Sequence, residues 1–101
     1  MKRALCVLPE AEVELQSAAL WYEEKRRGLG IEFVALVDQA LQSILDNPEG
    51  CPKWRADRPY RKRPLKRFPF IVIFRLDAGA VEIVAIAHAK RRPGYWLDRG
   101  R

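Results

Sequence analysis

Three residues, Gly28-Leu29-Gly30, stand between two stretches that both carry the period of an amphipathic helix. Upstream, Ala11, Leu15, Ala18, Ala19 and Tyr22 recur on one stripe. Pro9 followed by Glu10, Glu12 and Glu14 suits a first turn, where a missing donor is harmless and the helix dipole favours anions; these acids are expected to face solvent. Lys25, Arg26 and Arg27 complement the other end at about Arg26, and Gly28 can supply a left-handed cap. Downstream, Phe33, Val37, Ala40, Leu41, Ile44 and Leu45 share a face until Asn47-Pro48 ends the pattern. So short a link leaves no chain for an excursion, and the two helices must fold back as a hairpin.

The remaining segments read as sheet. Residues 3–8, RALCVL, form a short apolar run stopped by Pro9, consistent with an opening strand. PEGCPKWRADRPY, residues 48–60, holds three prolines and one glycine and reads mainly as loop. Residues 61–67 are basic and can form a strand, with Pro64 arguing for an edge or a bulge. Phe70 to Leu76 and Val81 to Ala87 are rich in β-branched and aromatic residues, and Asp77-Ala78-Gly79 between them signals a hairpin. The expected fold is α+β in the order β-α-α-β-β-β, one domain over residues 1–101, with the helical hairpin packed on one face of a small, mostly antiparallel sheet.

Charge divides this chain unevenly. Residues 1–51 hold five Lys/Arg against nine Asp/Glu, while residues 52–101 hold fourteen against four. A basic second half favours a polyanion as partner, whether nucleic acid or an acidic protein segment; plain solubility is the bland reading. Arg75 and Glu82 interrupt the two longest apolar runs, so no membrane span is expected. The start, MKRALCVLPEAEVEL, has a basic pair but turns acidic by Glu10 and lacks the apolar region of a signal peptide, which points to the cytoplasm. Cys6 and Cys51 have neither CxxC spacing nor a histidine cluster, so no metal or disulfide is expected, and both read as small buried apolar residues.

Cutting RNA through its own 2′-hydroxyl needs a base, an acid and cations to hold the charge developing on phosphate, with no metal or other cofactor. The candidate cations are Arg61, Lys62, Arg63, Lys66, Arg67, Lys90 and Arg91, and the candidate proton carriers are His88 and Tyr95. Against that stands a structural reading, in which His88 is a hydrogen-bonded residue at a strand end and Tyr95-Trp96 anchor a C-terminal segment. Trp54, Tyr60, Phe68, Tyr95 and Trp96 interleave with the cations, a pattern also suited to stacking on single-stranded nucleic acid. No glycine-rich phosphate loop, HExxH or GxSxG is present, which sets aside metal hydrolysis and serine-type catalysis.

Arg67-Phe68-Pro69-Phe70, the segment Ala87-His88-Ala89-Lys90-Arg91-Arg92-Pro93-Gly94-Tyr95-Trp96, and the pair Trp21-Tyr22-Glu23 with Gly28-Leu29-Gly30 together resemble the ParE branch of the RelE/ParE toxins. The resemblance covers nearly the whole chain and implies a bacterial type II toxin neutralised by a cognate antitoxin in a hetero-oligomer. The antitoxin of such a pair typically wraps an extended or helical C-terminal segment over the toxin. ParE-like members imply DNA gyrase as target and inhibition by binding; RelE-like members imply mRNA cleavage at the ribosome. The arginine and tyrosine of the RelE branch map onto Arg91 and Tyr95, but its lysine pair has no clear counterpart here. The binding reading therefore places antitoxin or target contacts on Arg61, Arg63, Lys66, Arg67, Lys90, Arg91, Arg92, Tyr95 and Trp96. A folded relative that has lost its toxicity is a third possibility.

Overall fold

The computed structural model describes residues 3–100; Met1, Lys2 and Arg101, which enter the charge count and the 1–101 domain reading, lie outside them. The order is β1 (Ala4–Val7), α1 (Pro9–Lys25), α2 (Leu29–Asp46), a 3-10 turn at Pro48–Gly50, β2 (Tyr60–Pro64), β3 (Phe70–Asp77) and β4 (Ala80–His88). The strands form one sheet in the order β1-β4-β3-β2. Three strands run antiparallel and β1 lies parallel to β4, as the expected architecture requires. Pro64 ends the edge strand β2, where its missing donor breaks no inner ladder.

The hairpin turn differs from the sequence expectation. Gly28 does adopt a left-handed backbone, with φ +88°, but it precedes α2 rather than capping α1, which ends at Arg26 in an extended conformation. Glu23 also departs from the expectation that the α1 acids face solvent, since its carboxylate accepts the Gly28 and Gly30 N–H groups at 2.9 and 3.0 Å. One side chain thereby satisfies two of the donors that the start of α2 leaves unpaired. At Gly30 the helices meet backbone to backbone, for a Cβ there would lie 2.5 Å from the Ala19 carbonyl oxygen.

Both faces of the sheet are covered. Phe33, Val37 and Ile44 of α2 bury fully against Val72, Phe74 and Ile83, and each such apolar side chain removed from water contributes about 1.5–3 kcal/mol. Phe68 joins this core, meeting Phe33 edge to face at 5.2 Å. On the opposite face Trp96, Tyr60 and Leu8 cover Ile73, Val84, Ala85 and Ala87, with Trp54 alongside. Cys51 is buried as expected, whereas Cys6 is exposed because β1 is a short edge strand with open outer positions. Among the described residues no helix is long and apolar enough to cross a membrane, and no group of three metal-ligating side chains comes together.

Candidate functional site

After His88 the chain turns back across the sheet. Ala89 N–H donates to the Pro69 carbonyl at 2.8 Å and Arg91 N–H to that of His88 at 3.0 Å. Gly94 then takes φ +86°, a conformation that costs an L-residue, while packing against Leu97 and Trp54. Trp96 follows into the core at 3% exposure, 4.9 Å from the Trp54 ring. The Pro-Gly turn and the aromatic anchor are thus one device that folds residues 89–100 over the second face of the sheet.

This strap meets the open part of β4. Strand β1 pairs with β4 only as far as Ile83, and a bulge opposite Ile73/Phe74 leaves Val84 as an extra residue. Beyond that point side chains replace a strand partner. Arg99 donates to the Val84 carbonyl at 3.1 Å, and Glu14 of α1 accepts the Ile86 N–H at 3.0 Å. Glu14 also takes both guanidinium nitrogens of Arg99, at 2.8 and 3.0 Å, and the Tyr95 hydroxyl at 2.5 Å. Arg91 lies over the Tyr95 ring at 3.7 Å and reaches within 3.6 Å of the same carboxylate.

Glu14 is therefore the hub, only 14% exposed, with four partners from three places in the chain. It corrects the expectation that the acids of the first helix simply face solvent. Burial, the hydrogen bond to Glu14 and that carboxylate's charge push the Tyr95 hydroxyl well above the ordinary tyrosine value, outweighing the opposing pull of Arg91 and Arg99. The same hydrogen-bonded carboxylate holds Arg99 charged against the burial that opposes it. Tyr95 is a committed donor. His88 accepts the Lys90 N–H on Nδ1 at 3.0 Å, and its ring meets Phe70 edge to face.

Two hollows flank the strap. One, about 500 Å³, is an apolar groove between α1 and the end of the sheet, walled by Ala18, Trp21, Tyr22, Phe70 and Ile86, with His88 and Arg91 at its end. The other, about 160 Å³, brings Lys62, His88, Arg91 and Tyr95 to one recess beside Trp96, well below the roughly 300 Å³ at which small-molecule pockets begin.

The sequence matches the family model described as "ParE toxin of type II toxin-antitoxin system, parDE" over residues 7–93. The chain belongs to the ParE toxin family. The fold agrees: a solved structure described as "Chromosomal ParDE TA system from P. aeruginosa" superposes with a TM-score of 0.78 at 16% identity, covering 88% of this chain and 98% of that one. Among curated proteins no sequence matches.

In this ParE-family chain the cations singled out in the sequence do not share one face. Arg63 lines a hollow with Leu36 and Ala40 on the helix side of β2, and Arg61, two residues away on the same face, donates to the Cys51 and Glu49 carbonyls. Lys66 is exposed beside Arg63, while Arg67, held at φ +70°, sits 3.6 Å from Glu32. Lys90, Arg91 and Arg92 cluster on the exposed turn after β4. Arg91 and Tyr95 are in contact, with Trp96 buried beneath. Sequence reasoning missed Glu14 and Arg99, the two residues that tie the rest together.

Proposed function

We propose that this ParE-type toxin acts by binding DNA gyrase rather than by cleaving RNA, and that a cognate antitoxin neutralises it in a toxin-antitoxin hetero-oligomer. One observation carries the reading: Tyr95, the proton carrier a RelE-like site would need, is bound to Glu14 and stacked by Arg91. A phenol held neutral by a carboxylate is a poor acid-base catalyst at neutral pH, because its proton is already engaged. What the surface still offers is the exposed turn Lys90-Arg91-Arg92 beside an apolar groove, which suits a protein partner carrying acidic and apolar side chains. An antitoxin segment fits that description. Gyrase as target places the protein in the cytoplasm.

Supercoiling by purified gyrase with added protein is the deciding assay, with the neighbouring gene product as control. The reading expects inhibition that the partner reverses, and loss of inhibition in Lys90→Glu/Arg92→Glu with the fold intact. Arg91 is left unchanged in that variant because it also neutralises Glu14. A folded protein that leaves gyrase active but cleaves mRNA on ribosomes, and stops doing so as Arg91→Ala or Tyr95→Phe, would overturn the proposal in favour of the endonuclease.

A further inference from the structure

The first helix is apolar on two sides. Ala11 and Ala18 turn inward, but Val13 and Leu20 share an outward stripe and are 60% and 64% exposed. Across the hairpin Ile31 is 74% exposed, with Val34 beside it. Leu20, Ile31 and Val34 line a trough of about 730 Å³ between α1 and α2, on the helix faces opposite the buried Ala18 and Phe33. Single exposed apolar residues need no explanation, but a contiguous branched set from two helices marks a contact surface.

The geometry points to this trough as the docking site of a basic amphipathic helix from another protein. Its floor is narrow where Gly30 meets Ala19, and small side chains there let a third helix settle between the two as a ridge in a groove. Glu12, Glu23 and Asp38 stand at the rim, and no Lys or Arg lines the trough among the described residues. The cations at the hairpin tip are turned elsewhere, Arg26 to Glu32 and Lys25 to the Trp21 ring.

That rim selects the occupant. A partner with an apolar stripe flanked by Lys or Arg meets carboxylates on both sides, whereas an acidic one is repelled. Symmetric pairing of two copies through this face would set the same acids against each other. Docking the basic half of a second copy here would be head to tail and would not close. The surface also lies apart from the Lys90-Arg92 turn, so its partner and the toxin's proposed partners are separable.

The test is an NMR titration of the ¹⁵N-labelled full chain with a synthetic Leu/Lys amphipathic peptide of roughly 18 residues, five helical turns. A Leu/Glu peptide of the same pattern serves as comparison. Saturable shifts at Leu20, Ile31, Val34 and Asp38 are expected for the Leu/Lys peptide only. Affinity should fall by about tenfold or more in Ile31→Ser and in Glu12→Lys/Asp38→Lys, roughly 1.4 kcal/mol per tenfold. Shifts confined to the groove beside Phe70, equal binding of the Leu/Glu peptide, or undiminished affinity in the folded variants would each overturn the proposal. So would a dimer of the unligated chain that Ile31→Ser dissolves, since the occupant would then be a second copy.

Discussion

Removing the Glu14 carboxylate should loosen the C-terminal strap more than any other single change away from the core. In Glu14→Ala the Arg99 guanidinium, 16% exposed, loses its bidentate partner, and the Ile86 N–H and Tyr95 hydroxyl lose their acceptor. Deleting one member of a buried ion pair costs about 3–5 kcal/mol, and the residual solvent access of this pair argues for the lower end. An expected loss of ~3 kcal/mol is a large share of the roughly 5–15 kcal/mol that holds a domain folded. At ~4–8 °C per kcal/mol for a chain near this size, the melting temperature should fall by about 12 °C or more. Glu14→Gln keeps the shape and a neutral acceptor, and should cost roughly half as much. The assay is urea denaturation of Glu14→Ala, Arg99→Ala and the double variant, where a coupling energy of about 1.5 kcal/mol or more is expected. A loss under about 1 kcal/mol with no coupling would show that Arg99 does not rest on Glu14 in solution, and the account of the strap would fail with it.

Three further outcomes follow from the same geometry. Gly30→Ala should cost about 1–3 kcal/mol in thermal or urea melts, because the new methyl meets the Ala19 carbonyl, whereas Gly28→Ala, with open space around it, should cost only the roughly 1–2 kcal/mol of a left-handed backbone; the reverse ranking would contradict the helix contact. Tyr95 holds its proton in the fold to higher pH than in the unfolded chain, so its contribution is complete below about pH 10 and is lost above it, at up to ~1.4 kcal/mol per pH unit; Tyr22, raised by burial, adds in the same direction. Tyr95→Phe should flatten the alkaline part of the stability profile, and an unchanged slope would refute the bound phenol. Trp96→Ala should cost about 3–5 kcal/mol and unfold the strap, read as lost amide protection on the Val84–His88 edge; preserved protection there would mean the strap does not cover it.

Much of the fold is legible because its signals are local. The stripe from Phe33 to Leu45 and the β-branched run from Phe70 each report on their own neighbourhood, and the three-residue link forbids any route but a hairpin. The misplaced cap at Gly28 shows the limit of such reasoning. A left-handed glycine between two helices is compatible with ending the first or starting the second, and only the Glu23 carboxylate bonded to Gly28 and Gly30 decides between them. The exposed stripe of Val13 and Leu20 is similarly ambiguous, because α1 carries apolar residues on both sides and periodicity alone picks the inward one.

The functional site is less legible for a reason that is also physical. Arg91 and Tyr95 sit close in sequence and touch in the fold, so their pairing is a local fact. Whether that pair can move a proton depends on where the phenol points, and this is settled by Glu14, 81 residues away. Nothing in the spacing of Glu10, Glu12 and Glu14 distinguishes the acid that turns inward from the two beside it, since all three satisfy the helix dipole equally. The distinguishing feature is a gap elsewhere: β1 is too short to pair the end of β4, and the Ile86 donor and Val84 acceptor left over require a carboxylate and a guanidinium. The demand for Glu14 and Arg99 thus arises from strand length, and the loss of an acid-base role for Tyr95 follows from filling it.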